Sequence, residues 1–232
     1  MREIVLDTET TGLSPDAGHR IVEIGCIELV NHVPSGEAYH CYINPRRPMP
    51  AAAFDVHGLS DEFLADKPEF REIVEDFLAF ISDDRLIIHN AAFDLSFINA
   101  AFAELEIAPV PPDRATDTLM LARDKYPAAS NSLDALCRRF GIDTSKRDKH
   151  GALVDCELLA DVYLELIGGR QTDMTFGGAA TEPTDGDTSR TITLIRPQAL
   201  APRLTDAERD AHRRFVETLG SAPLWNKYTT SR

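Results

Sequence analysis

No stretch of the 232 residues approaches the ~18–20 consecutive apolar positions that a membrane-spanning helix needs. The N-terminal Met-Arg-Glu-Ile-Val-Leu-Asp lacks the apolar core of a signal peptide. Cysteine is scarce and scattered: Cys26, Cys41, Cys137 and Cys156 show no C-x-x-C spacing and no histidines at finger-like distances. Neither a zinc module nor a disulfide framework is expected, and reduced thiols in a cytosolic protein are. Positive charge is short as well, with 24 Lys and Arg against 38 Asp and Glu, a net charge of -14. Proteins that hold nucleic acid by bulk electrostatics carry the opposite sign. An acidic cluster around divalent ions inverts the local sign, so an enzyme touching one end of a strand stays compatible with this balance. There is no internal repeat. What is present, 43% hydrophobic and 27% charged residues, is ordinary for a globular chain long enough for one sizeable α/β core plus an appendage, or two small domains.

Ile4-Val5-Leu6 reads as a strand that breaks into the polar turn Asp7-Thr8-Glu9-Thr10-Thr11-Gly12. Arg20 to Val30 and Ala38 to Ile43 flank Pro34-Ser35-Gly36 and predict a hairpin, so three antiparallel strands open the fold. Phe70, Ile73, Val74, Phe77, Leu78 and Ile81 share one helical face. Leu86-Ile87-Ile88 predicts a buried strand, and a helix follows from about Ala91 to Leu105. Thr116 to Ala122 suits strand or helix. Asn131-Ser132 predicts a cap and Gly141 a stop around a short helix, and the last long helix runs from about Ala152 to Ile167. From Gly168 to Arg190 the chain is rich in Gly, Thr and Asp, which predicts a linker over 169–190. Beyond it, Thr191 to Ile195 suits a strand. Thr205-x-x-Glu208 is a capping-box signature before a short helix carrying His212, Phe215, Val216 and Leu219. This tail is too short for its own core, so Leu219, Leu224, Trp225 and Tyr228 call for a partner surface.

Asp7 and Glu9, at i and i+2 of a strand end, project from one face. Two adjacent acids repel, and a divalent cation is the simplest resolution, with carboxylate oxygens suiting Mg²⁺ or Mn²⁺. A solvated turn explains the same pair without a ligand. Asp94 falls in the first turn of a helix, where the dipole alone favours a carboxylate. His150 and Asp155 are five residues apart, so they share no helical face and converge only if His150 lies on the loop before the helix. A loop imidazole there suits a general base at neutral pH, or is simply a surface side chain.

Together, Asp7-Thr8-Glu9-Thr10-Thr11-Gly12, Val56-His57-Gly58, His89-Asn90-Ala91-Ala92-Phe93-Asp94, Asn131-Ser132-Leu133-Asp134-Ala135-Leu136-Cys137 and His150-Gly151-Ala152-Leu153-Val154-Asp155 resemble the DEDDh 3′–5′ exonuclease superfamily. Within it they look like the epsilon, proofreading, subunits of bacterial DNA polymerase III, over residues 1 to about 168. The resemblance implies an RNase H-like α/β fold: a mixed sheet, three antiparallel strands then parallel ones, flanked by helices, with a flexible C-terminal tail. It implies two divalent cations, Mg²⁺ or Mn²⁺, held by Asp7, Glu9, Asp94 and Asp155, with His150 taking a proton from the attacking water. His57, with Asp7 and Glu9, would contact the terminal nucleotide of a single-stranded or frayed DNA 3′ end. Ala52 departs from the pattern, since relatives often carry a Glu there that contacts that nucleotide. Gln171-Thr172-Asp173-Met174-Thr175-Phe176 is similar to a sliding-clamp-binding motif, and His212 to Tyr228 resembles the segment that anchors such a subunit to its polymerase. The implied partners are thus the alpha subunit through 191–232, the clamp through Gln171–Phe176 and a small theta-like subunit. RNA-trimming members share every catalytic motif, and a catalytically silent, polymerase-stabilising subunit is the non-enzymatic alternative.

Overall fold

The apolar run beginning at Ile4 becomes the central strand of a five-stranded sheet in a computed structural model that describes residues 1–145, 149–168 and 205–219. In chain order the elements are β1 (Arg2–Thr10), β2 (Ile21–Val30), β3 (Val33–Tyr42), α1 (Ala51–His57), α2 (Asp61–Leu64), α3 (Phe70–Ile81), β4 (Arg85–Ile88), α4 (Ala91–Glu104), β5 (Ala115–Asp117), α5 (Thr118–Lys125), α6 (Leu133–Phe140), α7 (Ala152–Leu166) and α8 (Asp206–Thr218). Strand order is β3-β2-β1-β4-β5. The first three strands are antiparallel, and β4 and β5 join in parallel. This is the mixed sheet that the resemblance implies.

Alternation along β1 and β2 gives the sheet two apolar faces. Ile4, Leu6, Ile24 and Cys26 point to the side covered by α3 and α4, where Phe77, Phe97 and Phe102 are fully buried. Each such Phe contributes roughly 1.5–3 kcal/mol through removal from water. Val5, Ile27 and Leu29 point to the other side, against Leu136, Cys137, Leu159 and Val162 of α6 and α7. Asp7 and Glu9 follow Val5 at intervals of two, so they continue this second face beyond its apolar part. At Gly25, opposite Asp7 across β1 and β2, an added Cβ would lie 2.4–2.6 Å from the Ala152 carbonyl group and the Leu153 nitrogen. The start of α7 therefore rests directly on the backbone of β2.

The structure corrects several expectations. β1 runs through the acids to Thr10 rather than breaking at Asp7. The hairpin turns at Asn31-His32, both at positive φ (51° and 68°), and Pro34-Ser35-Gly36 lies inside β3. Two successive left-handed residues match the twist of a two-residue turn, and an edge strand tolerates proline. Thr116 to Ala122 divides between β5 and α5, with Asp117 as the cap that starts the helix. Helices α1 and α2 have no counterpart in the sequence reading. Helices α3, α4, α6 and α7 match their expected spans within about a residue.

The chain divides into two units, Met1–Phe176 and Gly177–Arg232. In the second, α8 begins with the expected capping box: the Thr205 side chain accepts from Glu208 N, and Glu208 accepts from Thr205 N at 2.8 Å. Its Phe215 and Leu219 are exposed. The linker over 169–190, the hexapeptide Gln171–Phe176, the strand expected at 191–195 and Leu224-Trp225 lie outside the described residues. All four cysteines are free thiols. Among the described residues no helix is long and apolar enough to cross a membrane.

Candidate active site

Three elements, β1, α4 and α7, deliver the acids to one end of the sheet. β1 and β4 are parallel, so the end of β1 with Asp7 and Glu9 lies at the same edge as the turn from β4 into α4, which carries Asp94. That turn is sharp: Asn90 is left-handed (φ 69°) and offers no side-chain cap. Asp117 caps from β5 instead, its carboxylate accepting from Asn90 N and Ala91 N at 3.1 and 3.2 Å and from Leu119 N at 2.9 Å. One carboxylate thereby satisfies amides at the starts of both α4 and α5. The His89 Nδ1 lies 2.9 Å from the Thr118 hydroxyl, and burial lowers its pKa.

Asp94 is 2% exposed and accepts from Thr8 N and Thr8 Oγ1 at 3.0 and 2.7 Å. Burial pushes its carboxyl up to about 7 even though both Thr8 hydrogen bonds oppose the shift. Asp155 is delivered by the first turn of α7. His150 precedes that helix on a loop, the placement it needs to approach Asp155, and the break is made by Gly151 in an extended conformation (φ -158°) that any residue adopts. His150 Nδ1 lies 3.2 Å from Asp155 Oδ2. Glu9, His150 and Asp155 bring one ligand atom each within 4.8 Å of one another. Asp7 and Asp94 stand outside that tight group yet close by: burial first, and then the nearby charges including Asp7, Asp155 and Asp94, push the buried Cys156 thiol well up. Cys156 Sγ donates to the Gly25 carbonyl at 3.2 Å beneath the cluster.

Beside the acids lies a groove of about 520 Å³ with Glu9 and His57 in its wall and Leu13, Ala52, Val56 and Phe93 as apolar lining. Leu13 (86% exposed) and Val56 (47%) stand open to it without a core of their own. Ala52 thus presents a methyl group where a carboxylate was the family expectation. His57, at the C-terminal end of α1 before left-handed Gly58, accepts from Leu59 N at 3.0 Å through Nδ1. Its proton is therefore on Nε2, which is buried against the Thr10 backbone without a hydrogen bond of normal geometry. Burial lowers the His57 pKa, which favours the neutral ring. The loop carrying His150 is fastened to the same helix: His150 N donates to Val56 O at 3.3 Å, and Lys149 Nζ sits 5.0 Å from the Phe54 ring centroid. Sequence reasoning missed Asp117, Thr8 and the anchoring of the loop on α1. The Gly58 helix stop was the one available signal.

The family model described as "Exonuclease" matches residues 4–163. A DNA polymerase III subunit epsilon of Rickettsia felis is 47% identical over 222 residues, covering 94% of this chain and 97% of the relative. The subunit of that name from Escherichia coli is 44% identical over 239 residues, covering 97% of each. A solved nuclease domain of 3′hExo, described as a DEDDh family member bound to rAMP, superposes with a TM-score of 0.62 over 72% of this chain and 91% of that one at 15% identity, a likeness of fold. With the acids of β1, α4 and α7 gathered at one edge of such a fold, the chain belongs to the exonuclease family and, within it, to the DNA polymerase III epsilon subunits, and is a 3′–5′ exonuclease.

Proposed function

We propose that the protein removes mispaired nucleotides from DNA 3′ ends as 5′-monophosphates, and that Asp7, Glu9, Asp94 and Asp155 hold two divalent cations, Mg²⁺ or Mn²⁺, for that purpose. The observation that carries the reading is the convergence of Glu9, His150 and Asp155, with Glu9 also in the wall of the groove. The donor set fits hard cations: it is mostly carboxylate oxygen, and buried Asp94, pushed up to about 7, carries an ionisation penalty that a nearby cation would relieve. Such ions would supply an activated water and stabilise the leaving oxygen.

The chain's own residues do the rest. His150 takes the proton of the attacking water; with Nδ1 engaged by Asp155, the accepting atom is Nε2. His57 contacts the terminal nucleotide from the groove wall, and Asp7 and Glu9 contact that nucleotide as well. Leu13, Ala52, Val56 and Phe93 receive a base by its apolar face, irrespective of identity. Discrimination then lies in the substrate, since an unpaired terminus reaches the groove without the few kcal/mol that unpairing costs.

Residues 1–168 form the exonuclease domain in this reading, and 169–190 a tether. Gln171–Phe176 engages the sliding clamp, 191–232 the alpha subunit, and a theta-like subunit binds the exonuclease domain. The exposed Phe215 and Leu219 on capped α8 support a docking role for the tail. Tethering keeps an acidic nuclease at high effective concentration beside the primer end in the cytoplasm, so the partners supply the grip on DNA.

The test is nucleotide release from 3′-labelled primers, paired or mismatched, DNA or RNA, with Mg²⁺ or Mn²⁺ and then with EDTA. Metal-dependent release of monophosphate, faster at a mismatch and on DNA, is expected, with His150→Ala slower by ~10²–10⁴-fold. Equal rates on paired and mismatched ends would remove the proofreading reading. Faster release from RNA would make the chain an RNA-trimming enzyme.

A further inference from the structure

We infer that buried Glu23 and its partly exposed partner His40 form a positioning pair for the exonuclease reaction, holding the start of α7 and the loop that carries His150. This rests on the role proposed above for His150. Glu23 lies opposite Glu9 in the β1–β2 register, so both side chains project from the same face of the sheet. It is 3% exposed. His40, reaching across from the edge strand β3, places Nε2 2.7 Å from Glu23 Oε1. His40 is steadied in turn by Tyr42, whose ring centroid is 4.7 Å away, and Tyr42 packs on Phe63 of α2 at 4.9 Å.

That same Oε1 lies 4.0 Å from the position a Cβ would take on Gly151, the residue between His150 and the first turn of α7. A buried carboxylate is thus set at the N-terminal end of the helix that delivers Asp155, where negative charge is favoured. Glu23 is also the charge that acts most strongly on His57. One side chain therefore faces the three pieces of the site that no single element holds together: the His150 loop, the α7 start and the groove wall at His57.

The far end of the same face supplies an internal control. There Glu3, 1% exposed, meets His32 Nδ1 at 2.6 Å and accepts from the Tyr163 hydroxyl at 2.9 Å. Both pairs join a buried glutamate to a hairpin histidine, and only Glu23 borders the reacting groups. A purely structural account predicts the same behaviour for both; a positioning account separates them.

The experiment measures kcat, KM and thermal midpoint on single-stranded DNA 3′ ends for wild type, E23Q, H40N, E3Q, H150A and the E23Q/H150A double variant. E23Q keeps shape and hydrogen-bonding capacity while removing the charge, and H40N reaches the pair from its half-exposed side should E23Q not fold. The expected result is a kcat lower by ~10–100-fold for E23Q or H40N, the size of effect that a small misplacement produces, with KM within about threefold. E3Q should keep the wild-type kcat. In the H150A background E23Q should cost clearly less than in the wild type, because one of the groups it positions is gone. Equal kcat for E23Q, H40N and wild type would overturn the inference, as would losses that multiply in the double variant. A wild-type rate for H150A would instead show that the role given to His150 is wrong, and the positioning role would fall with it.

Discussion

The two ends of the face formed by β1, β2 and α7 carry charge in opposite ways. At the far end the acids are held by cations and donors: Arg2 binds Glu28 and Asp84, and Glu3 is shared by His32 and Tyr163. At the active-site end Asp7, Glu9, Asp94 and Asp155 crowd together on the ends of β1, α4 and α7, and the tightest group contains two carboxylates and one imidazole. The far end stabilises the fold through charge-assisted hydrogen bonds. The other end keeps like charges close, which is unfavourable in the bare protein and useful to an enzyme that concentrates cations. Compensation marks the structural cluster, and crowding marks the chemical one.

The sharpest way to break the comparison is to remove an acid from each end. Asp7→Ala should lower nucleotide release by ~10³-fold or more, a larger loss than that of one neutral transition-state donor. Its thermal midpoint without metal should not fall, because a repulsive partner is gone, and the rise induced by Mn²⁺ in the wild type should shrink. A wild-type rate, or an undiminished metal-induced shift, would remove Asp7 from the site. Glu3→Ala should do the reverse. It strands the Tyr163 hydroxyl and the His32 ring, for a loss of about 1–3 kcal/mol in urea unfolding, with kcat unchanged. A loss of rate matching that of Asp7→Ala would show that the two ends are not functionally distinct.

The distinction was only half legible in the sequence. Asp7 and Glu9 announce themselves because a strand repeats every two residues, and His150 and Asp155 because five residues cannot share a helical face. The spans of α3, α4 and α7 follow from apolar periodicity, and that of α6 from the Ser132 cap and the Gly141 stop. Glu23, by contrast, reads as one polar residue in Ile21-Val22-Glu23-Ile24-Gly25, and only the antiparallel register sets it opposite Glu9. Asp117 caps α4 only because β5 lies beside β4, a pairing between segments some 27 residues apart. The hairpin was misplaced because Pro34-Ser35-Gly36 is the stronger turn composition, whereas Asn31 and His32 provide the two left-handed residues the turn uses. Helix α1 starts directly after Pro50, where a run of alanines offers no apolar stripe to detect. Local chemistry was readable; proximity across strands was not.

A smaller effect sharpens the comparison from the side of pH. His89 sits at the active-site edge, and burial lowers its pKa below the ordinary value near ~6.5. Below that value the unfolded chain binds the proton more readily than the folded one, so stability declines as pH drops through it and is fully present above it. The urea midpoint should fall between pH 7.5 and 5.5, and His89→Asn should flatten that slope. An unchanged slope in the variant would show that His89 is not the group responsible.

Gly25 carries none of this chemistry, yet the seating of α7 depends on it. A methyl group there would overlap the backbone of Ala152 and Leu153, and the only relief is to lift the start of α7 from the sheet. Asp155 and His150 would be carried away with it. An alanine at this position should therefore behave in a cell as a mutator allele, raising the error rate of copied DNA although none of the clustered acids, nor His150, has been altered.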